Sequence, residues 1–101
     1  MIGWVRSTFV LLLLGMAQAA LAGPLEDALA TYSRGDYAGA LRLLQPLAER
    51  GEVEAQYNLG IMYDKGQGVK RDYVEALKWL RLAAAQGKLE AELYVANIHE
   101  H

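Results

Sequence analysis

The chain has 101 residues, 53% hydrophobic and 22% charged, with a formal net charge of −2 and no cysteine. That composition is globular rather than disordered, and its weak acidity excludes the clustered basic face that nucleic acid or an anionic membrane surface requires. The missing thiols exclude disulfide staples, a cysteine-based zinc site, thiol chemistry and a lipid anchor on cysteine.

Residues 1–22 read as a secretory leader. Arg6 and the amino terminus supply the positive start, Phe9-Val10-Leu11-Leu12-Leu13-Leu14 the apolar run, and Gly15 breaks it. Ala17-Gln18-Ala19 and Ala20-Leu21-Ala22 both fit a small-x-small cleavage site. Cleavage after Ala22 is preferred, because Gly23-Pro24 then opens the mature chain. The competing reading is an uncleaved anchor: Ser7 to Gly23 is 17 residues without a charge, near the lower limit for a membrane span. Cleavage leaves 79 residues with nine basic and twelve acidic side chains. The expected destination is the periplasm or the medium, with no stable membrane anchor.

Residues 23–101 then form one all-α domain of five predicted helices in chain order. The first is Leu25–Ser33. The second, Tyr37–Arg50, carries an apolar stripe of Tyr37, Ala40, Leu41, Leu44, Leu47 and Ala48 at spacings of three and four. Asp36 sits at its N-cap position and Gly51 where a left-handed C-cap belongs. Pro46 inside it removes a backbone donor and is expected to bend it. The third helix is Val53–Lys65, with Ala55, Leu59, Gly60 and Tyr63 on its packed stripe. Gly66 and Gly68 follow in a loop, expected at positive φ. The fourth helix, Tyr73–Gln86, begins at the N-cap candidate Asp72 and ends at Gly87. The fifth is Leu89–Glu100. Short connections make neighbours antiparallel hairpins.

The chain repeats itself. At an offset of 36, residues 36–55 and 72–91 share nine identities in 20 pairs, including Asp36/Asp72, Tyr37/Tyr73, Leu44/Leu80, Gly51/Gly87 and Glu54-Ala55/Glu90-Ala91. A period of that length belongs to the helical solenoids. The string Ala55-Gln56-x-x-Leu59-Gly60-x-x-Tyr63-x-x-Gly66-x-Gly68-Val69-x-x-Asp72-x-x-x-Ala76-x-x-Trp79-x-x-x-Ala83-Ala84-x-x-Gly87 resembles one full Sel-one-like repeat, over about residues 55–90, a subclass of the tetratricopeptide-like α/α superhelical repeats. Gly35-Asp36-Tyr37-x-x-Ala40-Leu41 resembles the shorter tetratricopeptide form. Ala91–His101 is similar to the first helix of a further repeat, with Val95-Ala96 in place of Leu-Gly and His99 in place of Tyr.

The resemblance implies an adaptor or scaffold that binds protein, not an enzyme. It also carries an alternative. A minority of cysteine-rich exported relatives are linked with β-lactam chemistry, so a small cell-wall or β-lactam-directed hydrolase is the second reading, and the missing cysteines count against it. The residues themselves offer little chemistry. Gly66-Gln67-Gly68-Val69-Lys70-Arg71 lacks the third glycine of a dinucleotide fingerprint and any preceding strand. His99 and His101 point about 200° apart on a helix and share no metal there. Ser33 has no histidine near it in sequence. No cofactor or metal is expected.

In helical solenoids the first helix of each hairpin lines the concave face. This places Glu54, Tyr57, Asn58, Ile61 and Asp64 on one helix, and Leu93, Tyr94, Asn97 and Glu100 on the next, as partner-binding residues. Tyr57 and Tyr94 fall off the packed stripe, and exposed aromatics suit binding surfaces. The acidic groove with apolar anchors calls for a basic, extended peptide. The last helix spreads Leu89, Ala91, Leu93, Tyr94, Val95, Ala96 and Ile98 over more than one face. Uncovered apolar surface is therefore expected at this end, and with it docking of the partner or self-association.

Overall fold

The computed structural model describes residues 23–98. It contains five helices, α1 Pro24–Ser33, α2 Tyr37–Glu49, α3 Val53–Lys65, α4 Tyr73–Ala85 and α5 Leu89–Asn97, and no strand among the described residues. The leader and its cleavage sites lie outside the described residues, as do His99, Glu100 and His101. α5 stops three residues short of the expected Glu100: Ile98 is already extended, with φ −75 and ψ 133.

The local chemistry at the helix ends is the chemistry of the repeat. Asp36 Oδ1 accepts from the Gly39 amide at 3.0 Å and Asp72 Oδ1 from the Glu75 amide at 3.1 Å, so each repeat opens on the same carboxylate cap. Each also closes on a glycine at positive φ, 96° at Gly51 and 94° at Gly87. α2 runs unbroken through Pro46. The proline strips the Arg42 carbonyl of its donor, and Arg42 is exposed, so water can supply one.

Two apolar clusters share the core. The larger joins α1 to α4 through Ala28, Ala40, Leu44, Leu47, Ala48, Ala55, Leu59, Met62 and Trp79. The smaller holds Leu80, Ala83 and Ala91, with Val53, Tyr57, Ile61, Tyr94 and Val95 packed against it. Leu44, Leu59, Met62 and Leu80 are completely buried, each contributing about 1.5–3 kcal/mol by transfer from water. Gly60 sets the spacing of α3 and α4: a Cβ there would lie 2.7 Å from Leu80 Cγ and 3.1 Å from the Ala76 carbonyl oxygen. Large side chains fill space only because small ones admit them.

Candidate functional site

The site is built from α3, the loop that follows it and α5. The N-terminal ends of α3 and α5 meet through Lys88, whose Nζ lies 2.5 Å from Glu54 Oε1 and 2.9 Å from Glu90 Oε2. The ammonium also lies 5.0 Å from the centre of the Tyr57 ring, a cation–π contact. Hydrogen bonds to Glu54 first and Glu90 second keep Lys88 charged well above the ordinary lysine range, and the same bond from Lys88 holds Glu90 below the ordinary carboxylate range. Farther along, the Tyr94 hydroxyl donates to Asp64 Oδ2 at 2.6 Å, and Arg71 lies 3.6 Å from Asp64 Oδ1. Burial, then the bond to Asp64, pushes the Tyr94 phenol up.

Beside the Tyr94–Asp64 link lies a groove of about 460 Å³. Asp64 and Arg71 line it from the α3 side. Glu90, Leu93, Tyr94, Asn97 and Ile98 line it from α5. The α5 residues fall on one side of that helix, because the spacings 90, 94, 97 and 98 are those of a helical face. The groove therefore offers apolar wall next to fixed charge of both signs.

Of the expected partner-binding residues, Asp64, Leu93, Tyr94 and Asn97 come together here. Glu54, Tyr57, Asn58 and Ile61 do not line the groove. Glu54 is occupied by Lys88. Asn58 Nδ2 donates to the Glu54 carbonyl at 2.8 Å, and Ile61 packs on the smaller cluster. Glu100 lies outside the described residues. Tyr57 and Tyr94, expected off the packed stripe, are both half-buried against Leu80, Ala83 and Ala91. The reason is tertiary: α3 packs between α2 and α4, and its Tyr57 and Ile61 meet the cluster that Ala91 of α5 completes, so one helix has more than one buried side. The carboxylates expected to await a basic ligand are already engaged, Glu54 with Lys88 and Asp64 with Arg71 and Tyr94.

Arg71, Glu90 and Ile98 complete the lining and were not among the expected site residues. For Arg71 the sequence holds no signal, since it belongs to a glycine loop and meets Asp64 only when that loop folds back over the end of α3. For Glu90 the signal was present: it is the repeat counterpart of Glu54.

Comparison with known proteins bears on the same segment. Residues 53–88, which hold α3, its loop, α4 and the turn into α5, match the model of the Sel1 repeat family. An uncharacterized protein of Neisseria meningitidis serogroup B is 48% identical over 63 residues, 62% of this chain and 14% of that protein. The DAP3-binding cell death enhancer 1 of Mus musculus is 43% identical over 43 residues, 43% of this chain and 8% of that protein. A sel1-like repeat-containing protein of Acanthamoeba polyphaga mimivirus is 30% identical over 57 residues, 56% of this chain and 11% of that protein. The chain thus spans less than a sixth of the length of these relatives. No solved structure matches it.

Proposed function

Starting from a chain that carries a Sel1 repeat at residues 53–88, we propose that it is an exported interaction module that holds a basic polypeptide segment in the groove between α3 and α5. Sel1 repeats are generally protein–protein interaction modules and typically not enzymes. The observation that carries the reading is the groove itself. Leu93, Tyr94 and Ile98 present apolar surface beside Glu90, and an apolar anchor next to one charge is the pattern of peptide recognition. Glu90 is the more available carboxylate, its side chain 60% exposed against 16% for Asp64. The leader at residues 1–22 supports action outside the cytoplasm.

A phage-displayed library of random peptides, each about twelve residues long, tests this. The selected peptides are expected to carry Lys or Arg beside an apolar residue, and to bind at least about tenfold more weakly to the Ile98→Asp protein. Peptides that bind both proteins equally, or a library that yields none, would overturn the groove assignment.

A further inference from the structure

The internal repeat relates the outward face of α5 to a face of α3 whose partner is known. Val53, Tyr57 and Ile61 of α3 are half-buried against the cluster that α5 completes. The offset of 36 maps them onto Leu89, Leu93 and Asn97. On α5, nothing among the described residues takes the covering role: Leu89 is 59% and Leu93 56% exposed. The same offset maps Glu54 onto Glu90. Glu54 is the carboxylate that receives the cation at the start of the covering helix, Lys88, and Ala91 of that helix is fully buried with Leu80 and Ala83. Leu89 and Leu93 therefore stand open where their counterparts Val53 and Tyr57 are covered, and Glu90, held on one side by Lys88, keeps a side chain 60% exposed.

We propose that the outward face of α5 docks a basic amphipathic helix of a partner protein, which sets a Lys or Arg against Glu90 and packs a small residue, one turn on, beside Leu89 and Leu93. The inference rests on the reading of the chain as an interaction module and goes beyond it by making the bound segment a helix. The corresponding face of α3, Val53, Tyr57 and Ile61, packs on a cluster that a helix completes through the small residue Ala91, and a helix carrying a small residue packs closely in the same way.

Charge selects the occupant. The face carries Glu90 and the exposed Glu92, and Lys88 is already shared between Glu54 and Glu90. A second copy docking through its own α5 brings Glu90 and Glu92, and through the first turn of α1 the exposed Glu26 and Asp27. Self-association would place carboxylate against carboxylate, whereas a basic helix complements the face.

The probe is a helix-stapled, acetylated peptide copying residues 86–98 with Glu90→Lys and Glu92→Lys, so that it presents Lys88 and Ala91 as α5 presents them to α3. Its comparison is the same peptide unstapled, with Leu93→Pro and Ala96→Pro, which cannot be helical. By fluorescence anisotropy with the full protein, the stapled peptide is expected to bind at least about tenfold tighter than the proline peptide. Its affinity should fall at least about tenfold on Leu89→Glu in the protein, a position outside the groove, and weaken with added salt less steeply on Glu90→Gln. Far-ultraviolet circular dichroism verifies that both variants keep their helix content. Equal binding of the two peptides, binding indifferent to Leu89→Glu, or no binding at all would overturn the inference. So would a dimer of the unmodified protein in sedimentation that Leu89→Glu dissolves, since that assigns the face to a second copy. The groove reading is judged separately, by peptides sensitive to Ile98→Asp.

Discussion

The side chains of Gln56 and Gln86, 30 residues apart, meet in a hydrogen bond of 2.9 Å from Gln86 Nε2 to Gln56 Oε1. Gln56 is buried and passes the link on, donating to the Ala48 carbonyl at 3.1 Å, while Gln86 also donates to the Gly51 carbonyl at 2.9 Å. One amide pair thus ties the end of α2, the start of α3 and the end of α4. Gln56→Leu removes two hydrogen bonds from a buried position, while the Ala48 carbonyl keeps the Gly51 amide and the Gln86 amide keeps the Gly51 carbonyl. It is expected to cost about 0.5–1.5 kcal/mol for each bond lost. Gln86 is exposed, so Gln86→Ala should cost about 1 kcal/mol or less. Urea unfolding measures both, as a lower midpoint at unchanged slope. Equal losses from the two changes would contradict the assignment of Gln56 as the buried junction.

Gly60 is expected to resist replacement through helix packing alone, its φ being an ordinary helical one. A methyl there meets Leu80 Cγ at 2.7 Å and the Ala76 carbonyl oxygen at 3.1 Å, and a side-chain shift relieves only the first contact. Gly60→Ala should destabilise by about 1–3 kcal/mol through overpacking. Gly51→Ala meets no atom within 4 Å and is expected to cost only its positive φ, about 1–2 kcal/mol. Combining Gly60→Ala with Leu80→Ala should recover part of the first loss, because the added methyl then enters vacated space. A double variant whose loss is the full sum would show that the two sites do not touch.

Alkaline pH should loosen the α3–α5 contact. Lys88 titrates above its ordinary 10.5 in the folded chain, so its stabilising contribution is full below that value and is lost as pH rises through the folded one. Tyr94 also titrates above its ordinary 10.0: the fold favours the neutral phenol, the unfolded chain ionises first, and stability again falls on the alkaline side. The melting temperature is expected to decline from about pH 10 upward, and less steeply in Tyr94→Phe, which has no phenol to ionise. An identical alkaline slope in Tyr94→Phe would remove Tyr94 from the explanation.

If residues 1–22 serve as the secretory leader proposed above, the mature terminus is fixed. Protein recovered from cells that export it should begin at Gly23, since Ala20-Leu21-Ala22 presents small residues at both required positions. Edman sequencing decides the matter: a start at Ala20 would move cleavage to the earlier motif, and a start at Met1 would defeat it.

The residue pattern by itself determined the five helices, because each is specified by neighbours three and four residues away and by caps that belong to the same short segment. Asp36, Asp72, Gly51 and Gly87 do in the structure what their positions in the repeat require. Gly60 could also be recognised as a point of close approach, because small residues recur at helix contacts. What only the tertiary structure decided is how many sides of a helix are covered. A single apolar stripe on α3 places Tyr57 and Ile61 in solvent, yet both pack on the cluster that α4 and α5 build together, and the same packing brings Lys88 to Glu54 and Tyr94 to Asp64. Those pairs join residues 34 and 30 positions apart. Local periodicity has no way to express them, because it describes one helix against a single unspecified core. Charges that look available along the chain are therefore paired across the solenoid, and among the described residues the apolar face of Leu89 and Leu93 is left open.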